Sequence, residues 1–310
     1  MESKATREAL GEGVLELGLK HNDVFVVDCD VAKSCKTLSF AEQLPKQHIN
    51  VGISEQNAVG IAAGLATTGM VPYVVTYAVF GSMRAVEQIR QEACYTKLNV
   101  KILCSHGGLT PANDGASHQC IEDMGILRTI PNMTVIMPAD YASAKKLIEQ
   151  SYLYKGPVYI RFTRDAIPCI YSENDSFEIG KAKCLKEGKN VSIFANGDTV
   201  SIAMEAQREL EAKGIYASVY DFHTIKPLDI DVVKKEIEKT GKIITVEDHN
   251  IINGLGSAVC EVVAETGKGK VIRIGVQDQF GESAPYHELL KMNGITKENI
   301  CQKAMDLLSK

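Results

Sequence analysis

The chain has 310 residues, a length sufficient for two ordinary globular domains. Of these residues 45% are hydrophobic, and the formal net charge is −5. Lysine and arginine are scattered, which argues against a nucleic-acid surface, and no apolar run approaches the roughly 18–20 residues that cross a membrane. The first residues lack the apolar core of a signal peptide, so we expect a cytoplasmic protein. The nine cysteines form no Cys-x-x-Cys, which predicts buried free thiols rather than disulfides or a zinc site.

Short β-branched runs alternate with amphipathic stretches in the first half of the chain. This alternation is typical of an α/β fold with a mostly parallel sheet flanked by helices. Strands are predicted at residues 23–28, 71–76, 100–105, 133–137 and 158–162. Helices are predicted at residues 57–68 and 81–95, and the first of them is rich in alanine and glycine.

A polar segment at residues 164–188, interrupted by Pro168, separates this half from a second α/β unit. The second unit has predicted strands at residues 191–195, 218–221, 242–246 and 271–274, and predicted helices at 199–213, 229–240 and 255–266. The expected division is therefore a first domain at residues 1–167, a linker at 168–189 and a smaller second domain at 190–310.

Glu55 stands at the start of the small-residue helix, after Ser54. A carboxylate at such a place is commonly only a favourable charge near the helix N-terminus, with the serine as a cap. The apolar residues that follow would give Glu55 a dry environment, in which a carboxyl can share a proton with a ring nitrogen. Tyr77 and Phe80 follow the next strand, and aromatic residues there are more often core than ligand contacts on composition alone.

A loop follows the strand at residues 100–105 and carries two histidines, an acid and three glycines. Loops rich in Gly, Asn and Asp are commonly plain turns. His106 and His118 at the two ends, with Asp114 between them, are harder to explain in that way. Loops at the carboxyl ends of strands are where α/β proteins place ligand-binding groups.

These segments together resemble the pyrimidine-binding half of a thiamine-diphosphate enzyme of the transketolase family. The helix start around Glu55 and the Asp-Gly-x-Ser-His-Gln run at residues 114–119 carry the resemblance. It implies a pyrimidine-binding domain followed by a transketolase C-terminal domain. Glu55 would hydrogen-bond N1′ of the aminopyrimidine and promote its imino tautomer, and Phe80 and Tyr77 would provide the aromatic wall. Asp30 and Val31 would support the bent conformation of the cofactor.

The resemblance also implies a sugar site. His118 would act at the C1 hydroxyl or carbonyl region, Asp114 at the C2 hydroxyl of the acceptor, and His106 at the terminal anionic group. Arg7, Ser34 and Arg164 would complete a site for a phosphate or sulfonate. The sequence departs from the family pattern at Gly107, where an aspartate is common, at Pro111-Ala112, and at Met83, where a third aromatic is expected.

The family's Gly-Asp-Gly segment with its following Asn pair, which holds the diphosphate and its metal, is absent from the sequence. Asn196-Gly197-Asp198 does not replace it, because it lies in the second domain; Asp198 or Thr199 is expected to cap a helix, and His249 to be structural. The resemblance therefore implies half of an enzyme, with no metal ligands of its own. A separate N-terminal subunit would bind the diphosphate and Mg²⁺ or Ca²⁺ in an α2β2 assembly.

The implied reaction is transfer of a two-carbon ketol unit from a ketose phosphate, or an anionic analogue such as a sulfo-ketose, to an aldose. The alternatives are the β subunit of a 2-oxo-acid dehydrogenase E1, a half of a deoxyxylulose-phosphate synthase, and a catalytically silent assembly subunit. An E1 β subunit would lack the Asp-Gly-x-Ser-His-Gln run in the loop at residues 106–119, which we call the sugar loop. A catalytically silent subunit need not retain Glu55.

Overall fold

A computed structural model describes residues 2–309 as two α/β units. The first unit is built on a seven-stranded sheet in the order β12-β6-β7-β5-β4-β2-β3. Six of these strands are mutually parallel and come from the first half of the chain: β2 (Val24–Asp28), β3 (His48–Asn50), β4 (Val71–Tyr77), β5 (Lys101–Ser105), β6 (Thr134–Ile136) and β7 (Val158–Arg161). A small pair, β1 (Ser3–Lys4) and β8 (Ile167–Pro168), is antiparallel.

Helices cover both faces of this sheet, as the burial of nearly every residue of β2, β4, β5, β6 and β7 requires. They are α1 (Thr6–Lys20), α2 (Leu38–Gln43), α3 (Glu55–Thr67), α4 (Val86–Gln88), α5 (Asp123–Arg128) and α6 (Tyr141–Leu153). The helix predicted at residues 81–95 is not a regular α-helix. Instead, α4 is flanked by two π-helical segments, Phe80–Arg84 and Ile89–Tyr95.

The second unit has a five-stranded sheet in the order β14-β13-β10-β11-β9. Its strands are β9 (Lys183–Lys186), β10 (Val191–Ala195), β11 (Ala217–Asp221), β13 (Lys242–Asn250) and β14 (Lys270–Val276). Its helices are α7 (Thr199–Ala212), α8 (Ile230–Lys239), α9 (Leu255–Thr266), α10 (Tyr286–Met292) and α11 (Lys297–Leu308). Only β9, at the edge, is antiparallel to its neighbour. The predicted fold class, two successive α/β units with parallel sheets, is confirmed.

Two strands lie outside the simple division of the chain. β9 lies inside the segment predicted as a linker, where its charged residues suit a partly exposed edge strand. β12 (Thr224–Lys226) belongs to the second half of the sequence but pairs antiparallel with β6 at the edge of the first sheet. The two units are therefore joined by sheet hydrogen bonds as well as by side chains.

The helix caps differ from the expectation. Asp198 occupies the N-cap position of α7, but its side chain caps nothing there because its backbone is helical, with φ −59° and ψ −23°. Thr199 instead donates to the carbonyls of Asn196 and Val246, at 2.8 and 2.9 Å. Ser54 likewise donates to the carbonyl of Val51 rather than capping α3.

Candidate functional site

The predicted site residues lie at one edge of the first sheet. Asp28, Asn50, Tyr77, Ser105 and Arg161 are the last residues of β2, β3, β4, β5 and β7. Because the carboxyl ends of parallel strands meet at one edge, the segments that follow them are brought together, and this edge is where open α/β sheets bind ligands. The loops after these strands carry Asp30, Glu55, Phe80, His106 and Arg164 in that order.

Glu55 begins α3 and is 2% exposed, yet its carboxylate has a cationic partner. Arg84 donates from Nη1 to Glu55 Oε2 at 2.8 Å. The same guanidinium lies over the ring of Phe80, with its central carbon 4.6 Å from the ring centroid. A planar group with N–H donors is therefore held between an aromatic face and a buried carboxylate.

Tyr77 and Phe80 are stacked, with ring centroids 5.9 Å apart. Tyr77 also stacks on His106 at 3.9 Å, and His118 meets the Phe80 ring edge-on at 5.7 Å. The two histidines at the ends of the loop are thus brought to the same pair of aromatic rings. Ser117 Oγ lies 3.0 Å from Nδ1 of His118 and restrains that ring.

His106 is buried, with Ser105 Oγ 2.7 Å from its Nδ1. Burial, with the positive charges of Arg7 and Arg164 acting in the same direction, lowers the pKa of His106 to about 3. His106 is therefore neutral at physiological pH and can serve an anion only as a neutral hydrogen-bond donor. The electrostatic effect of both arginines also shows that they lie near the same ring.

Arg7 and Ser34 are in contact, although through the backbone of the serine. Arg7 lies in the first turn of α1, which Thr163 holds against the end of β7 by bonds to Thr6. Its Nη1 donates to the carbonyl of Ser34 at 3.1 Å. Its Nε is buried and has no hydrogen-bond partner among residues 2–309.

Arg164 and Asp114 form an ion pair, with Nη1 3.4 Å from Oδ2. Arg164 also donates to the carbonyl of Pro111 at 2.6 Å. The side chains of Arg164 and Asp114 are 32% and 40% exposed, so an incoming anion can compete with Asp114 for the guanidinium.

Asp30 and Val31 lie directly after β2. Asp30 has φ +66°, an unusual backbone conformation for a residue other than glycine, and accepts a hydrogen bond from Asn50 at 3.2 Å. The N–H of Val31 donates to Asp28 at 2.9 Å. Burial raises the pKa of the neighbouring Cys29 thiol to about 12, with the charge of Glu55 acting in the same direction, so this turn lies beside Glu55.

The residues at this edge fit an aminopyrimidine. The guanidinium of Arg84 shows that a flat group can contact the Phe80 ring and donate to Glu55 simultaneously. No cluster of three or more His, Cys, Asp or Glu side chains within residues 2–309 is arranged to hold a metal ion. None of the helices described in the structure is long and apolar enough to span a membrane.

Sequence reasoning missed Arg84 and Ser105. Arg84 lies four residues after Phe80, but the predicted helix begins only at residue 81, so this pairing is not evident from the sequence. Ser105 is the last residue of β5 and directly precedes His106. Its role could not be found from composition, because a serine at a strand end is common. Met83 replaces the expected third aromatic and is partly exposed.

Two family models together match nearly the whole chain. The model described as "Transketolase, pyrimidine binding domain" matches residues 2–169, and "Transketolase, C-terminal domain" matches residues 180–300. The second match begins within the segment predicted as a linker.

Three similar proteins match this chain over nearly all of their own length. A "Putative transketolase C-terminal section" from Methanocaldococcus jannaschii is 44% identical over 99% of this chain and 97% of that protein. A subunit of an apulose-4-phosphate transketolase from Phocaeicola vulgatus is 39% identical, covering 99% of this chain and 98% of its own. A subunit of a 6-deoxy-6-sulfo-D-fructose transketolase from a Clostridium species is 37% identical, over 99% of this chain and 95% of that protein.

A solved structure described as "Split gene transketolase, inactive beta4 tetramer" superposes on the chain with a TM-score of 0.91. It is 42% identical in sequence and covers 99% of each chain.

Proposed function

The chain belongs to the transketolase family, and from this premise we propose that it is the half of a thiamine-diphosphate-dependent transketolase that binds the pyrimidine of the cofactor. The observation that carries the proposal is the pairing of buried Glu55 with the Phe80 ring around one planar cation. A carboxylate and an aromatic face that contact the same planar group suit a flat ring that needs one hydrogen bond and one stacking surface.

Thiamine diphosphate, when bound, would supply the electron sink for breaking and forming the carbon–carbon bond of ketol transfer. Glu55 would exchange a proton with N1′ of the pyrimidine and so prepare its amino group to act as a base. Phe80 and Tyr77 would stack against the ring. Asp30 and Val31 would support the cofactor from the end of β2.

The sugar would lie against the loop between His106 and His118. His118 would donate to the C1 hydroxyl or carbonyl region, and Asp114 would accept from the C2 hydroxyl of the acceptor. Positioning of this kind lowers the barrier by fixing reacting groups before the reaction. The structure supports this arrangement by placing both histidines on the aromatic pair.

An anionic tail would be held by Arg7 and Arg164, with Ser34 and neutral His106 as uncharged partners. Two permanent cations beside a neutral histidine favour a dianion such as phosphate, or a sulfonate, at any pH near neutrality. The relatives whose names carry apulose 4-phosphate and 6-deoxy-6-sulfo-D-fructose are consistent with this class.

The chain would work only with a second subunit. It lacks the diphosphate and metal segment in sequence, and relatives of matching length are named as sections or subunits. The split-gene relative made of four β chains is described as inactive, which supports the same conclusion. We propose that the partner binds the diphosphate and Mg²⁺ or Ca²⁺ and that the assembly is α2β2.

The test is reconstitution. The chain alone should neither bind thiamine diphosphate tightly in calorimetry nor turn over xylulose 5-phosphate, whereas the mixture with its diphosphate-binding partner should do both. Submicromolar, Mg²⁺-dependent binding by the chain alone would overturn the half-enzyme proposal.

Assays of the same two-subunit mixture also distinguish ketol transfer from the three alternative functions. Condensation of pyruvate with glyceraldehyde 3-phosphate would indicate a deoxyxylulose-phosphate synthase. Oxidative turnover of a 2-oxo acid with the remaining dehydrogenase components would indicate an E1 β subunit. Assembly without any turnover would indicate a silent subunit.

A further inference from the structure

A buried charge cluster lies between the two units, directly behind the sugar loop. Arg161 ends β7 and is only 1% exposed. Its Nη1 donates to Asp123 Oδ1 at 3.3 Å, and its Nη2 donates to the carbonyl of Asp248 at 2.5 Å and lies 3.7 Å from the Asp248 carboxylate. Tyr159 donates to the other oxygen of Asp123 at 2.6 Å. Asp123 belongs to the first unit and Asp248, on β13, to the second.

Asp248 also binds the backbone of the sugar loop. The N–H of Leu109, three residues after His106, donates to both carboxylate oxygens of Asp248, at 3.1 and 2.9 Å. The hydroxyl of Tyr286 lies 3.4 Å from the same carboxylate. A carboxylate of the second unit therefore fixes the first half of a loop that belongs to the first unit.

At Gly107 and Gly108 the loop lies so close to this cluster that there is no room for a side chain. A Cβ built on Gly107 would lie 2.2 Å from Arg161 Nε, and one on Gly108 would lie 2.0 Å from Asp248 Oδ2. Gly108 also has φ +61°, a backbone conformation that suits glycine. The Arg161 side chain occupies the space that an aspartate at position 107 would need.

The second half of the loop is held by the same unit at another point. Gln119 donates to the carbonyl of Glu282 at 2.8 Å, and Ser283 donates to the carbonyl of Asn113 at 2.6 Å. These bonds lie on either side of Asp114 and His118. Both halves of the loop are therefore fixed by the second unit, whose position determines where the histidines lie.

We propose that Asp248, with Arg161, is a positioning residue through which the second domain sets the loop that carries His106, Asp114 and His118, and so sets affinity for the anionic sugar. This inference rests on the proposed function for its substrate. Burying three charges is costly and can be replaced by apolar contacts where only stability matters. Here the charges fix a loop backbone at a defined position, which apolar contacts do less specifically.

The first experiment needs no substrate. Hydrogen–deuterium exchange of the loop peptide at residues 106–119 is compared in the full chain and in its Asp248→Asn variant, which keeps the size of the side chain. We expect exchange in the loop to rise at least fivefold. The matched control is Asp221→Asn, which removes another buried carboxylate of the same sheet, one bonded to Tyr171 and away from the loop.

The second experiment uses the reconstituted two-subunit enzyme. Asp248→Asn is expected to raise the KM for xylulose 5-phosphate about tenfold while the dissociation constant of thiamine diphosphate stays within twofold, because Glu55 and Phe80 lie on other elements. Asp221→Asn should leave both values within twofold. A variant that merely destabilised the protein would lower the melting temperature without raising the KM for the sugar selectively over the dissociation constant of the cofactor.

Equal loop exchange and equal KM in the two variants would overturn the proposal. If the wild-type assembly shows no ketol transfer, the proposed function fails, and loop exchange alone decides the positioning role. If Asp248→Asn does not fold, Tyr286→Phe removes only the hydroxyl beside Asp248. A twofold rise in loop exchange is expected there, and no rise would count against the proposal.

Discussion

Arg84 and an aminopyrimidine would compete for the same carboxylate and the same aromatic face. Its guanidinium is half-exposed and bonded to Glu55, so it can leave the pocket at modest cost. In the proposed enzyme, Glu55 must shift its bond from this cation to N1′ of the cofactor. Arg84 therefore belongs to the pocket even though it is not expected to act in the reaction.

Replacing Arg84 by methionine keeps an unbranched side chain over Phe80 and removes the N–H donors. We expect the dissociation constant of thiamine diphosphate in the two-subunit assembly to fall about fivefold, since an ion pair of this exposure contributes about 1 kcal/mol. Titration calorimetry measures the change. Arg90→Met, an exposed arginine further along the same segment, is the control. Weaker binding by Arg84→Met would show that Arg84 helps to hold the cofactor.

Glu55→Gln tests the proton role directly. The variant should fold and assemble, because glutamine can still accept a hydrogen bond from Arg84. Exchange of the C2 proton of the bound cofactor should slow by about 10²–10⁴-fold, the usual contribution of a proton-transferring side chain. Nuclear magnetic resonance of quenched samples follows the exchange. An unchanged rate would leave Glu55 as a favourable charge at the start of α3.

Arg164→Ala should raise the KM for a ketose phosphate by about ten- to a hundredfold, because a hydrogen bond to a charged group contributes about 1.5–3 kcal/mol. Arg7→Ala should do so less strongly. Steady-state kinetics with hydroxypyruvate, which has no distal anionic tail, provides the control and should change little. Equal losses with both donors would show that Arg164 mainly orders Asp114 and Pro111, its partners in the structure.

At the scale of elements, two glycines have opposite surroundings. Gly107 is enclosed by Arg161, whose guanidinium is held by Asp123 and Asp248 and cannot easily move. Gly64 lies on the exposed side of α3, and a Cβ there would meet nothing within 4 Å. The same substitution should therefore have opposite effects on stability at the two positions.

Gly107→Ala should lower the free energy of unfolding by about 1–3 kcal/mol or more through overpacking. Gly64→Ala should raise it by roughly 0.5–1 kcal/mol, because alanine is the better helix former. Urea unfolding of the isolated chain measures both changes. A neutral Gly107→Ala would mean that Arg161 can rearrange, which would also weaken the case for its positioning role.

Much of the architecture follows from local patterns in the sequence. Buried strands such as β4 and β10 are short, largely apolar runs, and their ends predict where ligand-binding loops begin. β12 could not be predicted in the first sheet, because its pairing with β6 joins residues distant in sequence. The π-helical turns around Phe80 have no periodic signature of their own.

The predicted site residues carry recognisable motifs, whereas their partners do not. His118 lies in a distinctive run, but Arg161 and Asp248 stand in ordinary strands and become a cluster only when two domains meet. A charged residue at a strand end is usually solvated. Nothing local to Arg161 indicates that it is fully buried, so the positioning cluster was not predictable.

At the scale of the whole molecule, the two domains are bound together at several points. β12 completes the first sheet, Lys226 donates to the carbonyls of Arg128 and Ile130, and His249 accepts a hydrogen bond from the N–H of Gly125. Burial lowers the pKa of His249 to about 4, so it is neutral in this interface at physiological pH. Such a shared interface couples the unfolding of the two domains.

We therefore expect the chain to unfold in one calorimetric transition, with the calorimetric and van't Hoff enthalpies equal. The measurement is differential scanning calorimetry at low protein concentration, repeated at a second concentration to separate unfolding from dissociation of oligomers. Two resolved transitions would show that β12 and the charge cluster do not couple the domains.

The pairing of β12, a strand of the second domain, with β6 of the first sheet has an evolutionary consequence. Domains that meet only through a linker can be exchanged between genes by recombination, because each arrives with its own hydrogen bonds complete. A breakpoint near residues 170–182 would instead deprive β6 of its neighbour and leave a strand edge open to aggregation. A foreign second domain would be accepted only if it brought a matching strand and an acid at the place of Asp248, so the two domains are expected to be inherited as a pair.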